Sequence, residues 1–543
     1  MQINSRKRDI NKSIYFVGLS LIAFGLPLSP FLMSAGQVIL GVNWIYEGQF
    51  REKFSNLRRN NSLLVLLAVF LVFLIGVLYS ENKSHAWQEI GIKFPLFFVP
   101  LLVGTSPSLS PKQYNYVINF FIGAVVLGTC ISMGVLYHII PTKKPIHEVR
   151  DISIFISHIR SSLMIVLVIF YSLQSSLVTP EPKIHPSLLI RITYIFIALW
   201  LTLFLFILHA LTGIIIGVVI GIILLLYYVI RSNSKQQTLF TLFLLLLLPI
   251  AGFIYLRPIV HETLLVKPSH PYPILSQTPN GHPYQQDTSS VWQETENGYP
   301  LGINYNWSEL ASAWILRSDM AFEGNDKRGN PLKYTLLRFM TSKGINKDSL
   351  ALSSLSKDEI QAIENGIANV NYLGKSGLTV RIEETLWEIA KYKENHGTNG
   401  HSLTMRIEFW HTAWHILKRN WLYGVGTGDT RDEMVKQYAA DKSQLSNENR
   451  LGPHNQFLAI ALALGIPGLL LFLASLFLPF FAHANARTFL YVVFFGIFFL
   501  SLWNEDTLET QAGVTFYVFF NSFLLFANPS SNLSRLDGRH ART

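Results

Sequence analysis

Ser62-Leu63-Leu64-Val65-Leu66-Leu67-Ala68-Val69-Phe70-Leu71-Val72-Phe73-Leu74-Ile75-Gly76-Val77-Leu78-Tyr79 carries no charge from end to end, and Arg58-Arg59 and Glu81-Asn82-Lys83 bracket it. A bilayer core about 30 Å thick is crossed by roughly 20 apolar residues wound as an α-helix. The run therefore reads as a membrane span. Working outward, eleven more runs read the same way, at about 14–29, 31–46, 90–104, 115–140, 161–179, 190–208, 211–230, 238–256, 455–482, 488–503 and 511–527. Pro27 and Pro30 interrupt the first two, and Lys93 and Pro95 interrupt the run at 90–104.

The composition agrees. Of 543 residues 50% are hydrophobic and 14% charged, against about 25% charged in an average soluble domain. One cysteine, Cys130, excludes a disulfide framework and a cysteine-based zinc site. The net charge of +10 suits nucleic acid on its face, but in a membrane protein the distribution of charge matters more than the total. With the N-terminus inside, the cytoplasmic segments hold seventeen Lys and Arg, among them Arg6, Lys7, Arg8, Lys12, Lys183, Arg535, Arg539 and Arg542. The short outer loops hold five: Lys83, Lys143, Lys144, Arg150 and Arg160. That bias puts both ends in the cytoplasm, and no nucleic-acid partner is expected. Arg6 to Lys12 before the first run also fit a secretory signal, but no small-x-small cleavage site follows and an uncleaved anchor fits better.

The expected fold is an all-α polytopic membrane protein of about twelve transmembrane helices with one large, mainly helical extracytoplasmic loop domain. Residues 1–256 hold the first nine spans, 257–453 the outer domain, 454–527 the last three spans and 528–543 a cytoplasmic tail. Seven tryptophans are scattered through 257–453: Trp292, Trp307, Trp314, Trp387, Trp410, Trp414 and Trp421. Residues 267–300, rich in Pro, Gly, Ser and Gln, read as an irregular loop. Ser356 and Glu359 form a capping box for a helix over about 357–370, and further helices are expected over about 380–394 and 404–419. In the last, Ile407, Trp410, Trp414 and Leu417 are spaced as an apolar face, suited to a membrane interface.

An insertion of this length has a task beyond joining two helices. Its end brings Gly424-Val425-Gly426-Thr427-Gly428-Asp429, then Gly452-Pro453-His454-Asn455 as the next span begins. His454 thus stands at the outer mouth of a membrane helix. So does Arg160, in Ser157-His158-Ile159-Arg160-Ser161-Ser162. Two titratable groups at one bilayer depth beside a large outer loop suggest a lateral pocket for an amphiphilic substrate. Each also has a plainer reading, Arg160 as a snorkelling anchor and His454 as part of a helix cap. Glu505, Asp506 and Glu509 read either as a solvated acidic loop or as a site for a cation or for orienting a base. His411 and His415 stand at i and i+4 without the zincin glutamate, and no metal is expected. The glycine run lacks the βαβ context of a dinucleotide fingerprint and reads as a tight turn, one that can offer backbone N–H groups to phosphate.

The stretch from Arg406-Ile407-Glu408-Phe409-Trp410 through Gly424–Asp429 to His454-Asn455-Gln456-Phe457, with the Gly465-Ile466-Pro467-Gly468 turn after it, resembles the signature of the O-antigen ligase family. His158–Leu163, Thr341-Ser342-Lys343-Gly344 and Glu505–Gly513 resemble its Bacteroidetes-type branch. That family of polytopic enzymes includes O-antigen ligases, polysaccharide polymerases and protein O-oligosaccharyltransferases. Many members place a Ser-Arg pair before a Gly-rich span, where this chain reads His209-Ala210-Leu211-Thr212-Gly213.

The resemblance implies glycosyl transfer, without a metal or other cofactor, from a polyprenyl-diphosphate-linked glycan to an acceptor hydroxyl, lipid A-core first among the candidates, on the periplasmic face of the inner membrane. By the same resemblance Arg160 and Arg406 hold the diphosphate, His454 is the general base, and Asn455, Gly426, Gly428 and Glu505 support them. The loop arginines Arg317, Arg338 and Arg381 are further candidates. A polymerase or a protein O-oligosaccharyltransferase shares this chemistry with a different acceptor. A transporter of lipid-linked glycans is the competing class; against it, the spans show no paired charges near the midplane and no evident inverted repeat.

Overall fold

The computed structural model describes residues 2–142, 146, 148–177, 187–232, 234–264, 272–287, 295–393, 402–443 and 445–529. Lys143, Lys144, Lys183, Trp292, Arg535, Arg539 and Arg542, named above for topology or packing, lie outside the described residues.

Each of the twelve apolar runs contains a helix among the described residues, the one at 115–140 ending at Leu136. Among the described residues nine helices are long and apolar enough to cross a membrane, including Arg8–Leu28, Asn61–Tyr79, Lys83–Thr105, His158–Leu177 and Gln456–Ala482. Pro30–Glu47 is a further apolar helix, and Phe489–Ser501 and Gln511–Ala527 are shorter ones. The only strands among the described residues are Thr295–Glu296 and Tyr299–Pro300, paired antiparallel. The chain is an all-α polytopic membrane protein. Polar residues stop and start the apolar runs: Asn60 accepts from Leu63 N at 3.1 Å, Asn82 from His85 N at 3.1 Å, and Ser110 forms a capping box with Gln113. Each such cap satisfies an N–H that would otherwise lack a partner at a helix end.

The chain forms two compact units. One comprises residues 1–141, 152–233 and 398–543; the other comprises 142–151 and 234–397. By packing, the helices Ser402–Arg419 and Thr430–Ala440 therefore belong with the first unit, a different division from the 257–453 segment drawn on the sequence.

The second unit is built around Trp314, Leu336, Phe339, Met340 and Ile363, all buried. Ser356 and Glu359 form the expected capping box, at 3.1 and 2.8 Å. The helix they open is shorter than expected, Lys357–Glu364, because Gly366 at φ +79° turns the chain out of it. The other two expected helices span Gly377–Lys393 and Ser402–Arg419.

In the first unit Gly465 (φ 69°, ψ −175°) breaks the helix Gln456–Ala482 from within. Pro467 has no N–H, and Ile466 N donates to Trp421 O at 2.7 Å instead of back along the helix. The carbonyls of Leu462 and Ala463 are thereby freed. Val425 N and Gly426 N take them at 2.7 and 3.0 Å. The two glycine motifs are halves of one joint. A Cβ on Gly424, at φ +71°, would stand 2.4 Å from Ala463 C. Gly424→Ala is expected to cost about 2–4 kcal/mol, from left-handed strain plus overpacking. Thermal unfolding in detergent measures it, and an unchanged midpoint would show the joint to be loose.

Candidate active site

The helix His158–Leu177 brings Arg160 in its first turn, where the backbone N–H and one guanidinium nitrogen both reach Ser157 Oγ, at 3.5 and 3.3 Å. The start of the helix Leu211–Arg231 packs tightly here, since a Cβ on Gly213 would lie 2.5 Å from Ser162 Cβ. Thr212 Oγ1 accepts from Asn504 Nδ2 at 3.3 Å. The stretch His209–Gly213 thus reaches the 503–510 turn through Thr212.

That turn is fastened to the start of Gln456–Ala482. Gln456 N donates to Leu502 O (2.9 Å), Asn455 Nδ2 to Trp503 O (3.0 Å) and Leu508 N to Gln456 Oε1 (2.6 Å). Asn455 also caps the helix through Leu458 N at 3.1 Å. It is therefore a positioning residue twice over. His454, one residue earlier, is held at φ 44°, a left-handed conformation uncommon outside glycine and concentrated at functional sites. Trp410 Nε1 donates to Pro453 O at 2.9 Å, and Phe409 lies 5.7 Å from the imidazole, ring to ring.

The residues meet around Glu505-Asp506. His454 Nδ1 lies 3.4 Å from Asp506 Oδ1, and an Arg406 guanidinium nitrogen lies 3.5 Å from Glu505 Oε1. The field of Arg160 acts on both carboxylates. Arg160, Arg406, His454 and Glu505 are thus brought together, and Asp506 joins them. The reading of 503–510 as a solvated loop is corrected: the Glu505 and Asp506 side chains are only 12% and 19% exposed. Their cationic partners come from helices far away in sequence, and these shield the acids from water.

The His454–Asp506 contact is an ion pair by distance rather than an aligned hydrogen bond, since Nδ1 has no hydrogen-bond partner among the described residues. Arg160 Nε and Asn504 Oδ1 are buried and orphaned in the same way. Buried polar atoms are normally satisfied, so orphans gathered at one rim point to a polar ligand. Asp506 holds the His454 pKa above its ordinary value, against the effect of burial. Burial would raise Asp506 in turn, but His454 keeps it below the usual carboxylate range. Burial, and then its neighbour Asp506, push Glu505 upward. Ligand atoms of His454, Glu505 and Asp506 all lie within 4.8 Å of one another, close enough for a cation, but two guanidinium groups already compete for those carboxylates.

Other expected participants are otherwise engaged. Gly426 N donates to Ala463 O at 3.0 Å and Gly428 N to Ser80 Oγ at 3.0 Å, which corrects the phosphate-cradle reading of that run. Asp429 spends its carboxylate on Glu81 N and Asn82 N, both at 2.7 Å. In the second unit Arg317 donates to the carbonyls of Ser353 and Leu355, Arg338 pairs with Glu296 at 2.5 Å, and Arg381 pairs with Glu384 at 3.0 Å.

Behind the rim lies a group not expected from the sequence. Lys93 Nζ sits 2.5 Å from Glu89 and 2.6 Å from Glu509, and Gln456 Nε2 donates to Glu509 at 3.2 Å. The expectation concerned paired charges near the midplane; this group is a charge pair within the span Lys83–Thr105 that is joined to the 503–510 turn. Glu89 and Lys93 stand at i and i+4, a signal present in the sequence; Glu509, over 400 residues on, gives none. Burial pushes Glu509 up to about 7, more than Lys93 pulls it down.

Residues 350–473 match the family model described as O-antigen ligase. Over that stretch the chain is similar to the O-antigen ligase family. A comparison with curated proteins returns no match. The matched stretch carries Arg406 and His454; Arg160, Glu505 and Asp506 lie outside it and reach the same rim by packing. The match supports a glycosyltransferase-like ligase or polymerase.

Proposed function

We propose that this chain is a membrane glycosyltransferase of the O-antigen ligase type. It moves a glycan from a polyprenyl diphosphate, undecaprenyl in bacteria, to an acceptor hydroxyl, with lipid A-core the first candidate, on the periplasmic side of the inner membrane. The observation that carries this reading is the convergence of two guanidinium groups and a carboxylate-held imidazole at one half-buried rim.

Outside the cytoplasm no nucleotide sugar is at hand, so the donor arrives activated on a lipid. His454 takes the proton from the acceptor hydroxyl through Nε2, since Asp506 occupies the Nδ1 side. The acceptor oxygen bonds to the anomeric carbon as the bond from that carbon to the diphosphate oxygen breaks. The electron pair leaves with the diphosphate, and Arg160 and Arg406 hold the growing charge through planar, bidentate contacts. Glu505, the carboxylate with the raised pKa, is the one that yields Arg406 to the incoming anion. No metal enters this scheme.

Arg160→Ala should lower turnover roughly 10²–10³-fold, the cost of one donor aimed at developing charge. Arg160→Lys should recover only part of it, because an ammonium lacks the planar fork. Both are read in a reconstituted assay of lipid-linked glycan with each acceptor offered separately, in excess EDTA. Normal turnover in Arg160→Ala would remove that residue from the reaction, and loss of wild-type turnover in EDTA would bring in a metal. A product formed only on a second glycan, or only on a protein hydroxyl, would reassign the acceptor. Glycan moved across the bilayer without a new bond would favour the transporter class, to which the buried Lys93 group lends its one support.

A further inference from the structure

We propose that His411, His415 and Asp441 form a binding site for a first-row divalent transition metal of the Zn²⁺ class, apart from the candidate active site. The two histidines lie one turn apart on the helix Ser402–Arg419, with ring centroids 4.2 Å from each other. Asp441 stands at the C-terminal end of the helix Thr430–Ala440 and presents both carboxylate oxygens to His415 Nδ1, at 3.1 and 3.2 Å. One ligand atom from each of the three lies within 4.8 Å of the other two. The sequence pattern lacked a third ligand; the fold supplies it from the neighbouring helix.

The chemistry suits such an ion. Two imidazole nitrogens and one carboxylate oxygen bind Zn²⁺ at about 2.0–2.2 Å, and two-His-one-carboxylate sets leave positions open to water. Tetrahedral ligands at that range stand roughly 3.3 Å apart, so only modest side-chain rotation separates the present geometry from a closed site. His411 is exposed and the other two half-buried, which leaves a path for the ion and room for water. The carboxylate is already oriented, because Gln437 Nε2 donates to Asp441 Oδ1 at 2.7 Å and Arg419 in turn donates to Gln437. Ligands held from behind in this way are characteristic of metal sites. At 3.6 residues per turn, His411 and His415 point roughly 140–180° away from Arg406 on the same helix. The ion would therefore clip the end of one helix to the back of the helix that carries Arg406, without entering the reaction.

Isothermal titration of tag-free, EDTA-stripped, full-length protein in detergent with Zn²⁺ tests this. One saturable equivalent is expected, with a rise in the thermal midpoint that tracks its binding. His411→Ala and His415→Ala should each weaken it roughly tenfold or more. His411 is exposed, so its loss should leave the metal-free midpoint where it was. Asp441→Asn should weaken binding as well. The proposal is overturned by absence of saturable binding, or by binding that survives the double variant His411→Ala/His415→Ala. An equivalent lost in Asp506→Asn but not in His411→Ala would put the metal at the other His–carboxylate group and overturn it too.

Discussion

His454→Ala should lower glycan transfer by about 10²–10⁴-fold while the protein still accumulates and unfolds as before, since a general base contributes on that scale. The side chain is partly exposed and makes an ion pair rather than a packed core contact, so its loss carries little stability. The pH profile separates a base from a structural residue. Asp506 holds the proton on His454 beyond the pH at which a free imidazole, with its ordinary pKa of about 6.5, would release it. Transfer needs the neutral ring, so the rate should climb with unit slope through a pKa above that value. Asp506→Asn removes the largest upward influence and leaves burial, which acts downward. Its inflection should move to lower pH even as its plateau falls, because the ring loses the group that orients it. A profile whose inflection stays put in Asp506→Asn would mean that another group titrates, Glu505 being the nearest alternative.

The spans were legible because a bilayer asks only for length and absence of charge, and both are properties of a single run. Arg160, Arg406 and His454 were legible through motif resemblance, and the turn that gathers them was not. Glu505 and Asp506 look like any acidic loop until helices from either side of the chain bring guanidinium and imidazole groups to them. The helix Ser402–Arg419 shows the same limit. Of its expected face, Ile407, Trp410 and Trp414 are exposed, with Trp414 51% accessible, while Leu417 is buried with Phe409, Ala413 and Ile416 in the core contact. Both stripes are apolar at helical spacing, so periodicity alone does not say which one meets protein and which is left for the bilayer interface. The glycine run failed for a different reason. Its N–H groups were countable in the sequence, but the carbonyls that claim Val425 N and Gly426 N are free only because Gly465 and Pro467 open a helix some forty residues later, and Gly428 N goes to Ser80 Oγ.

Lys93→Met should be the most destabilising single change considered for this chain, at about 3–5 kcal/mol, because it removes one partner from a buried charge group and strands the others. Lys93 is 1% exposed and holds two carboxylates at once, while Phe73 offers its ring face 5.2 Å from the ammonium. Without it Glu89 and Glu509 face each other with no cation between them. Neutralising the carboxylates as well, in Lys93→Met/Glu89→Gln/Glu509→Gln, should return most of the loss, since a buried ion cluster and an uncharged replacement of similar volume are commonly near balance. Thermal unfolding of the two variants in detergent decides between a charge effect and a packing effect. Recovery in the triple variant identifies the stranded charges as the cause. A triple variant as unstable as Lys93→Met would mean that the lysine's packing is what matters. Stability and transfer should also part company here. Gln456 donates to Glu509 and accepts from Leu508 N, so this group fixes the turn that presents Glu505 and Asp506 to His454. A triple variant that folds well but transfers glycan slowly, with its pH inflection unmoved, is the expected sign of a charge group that positions the site without taking part in the chemistry.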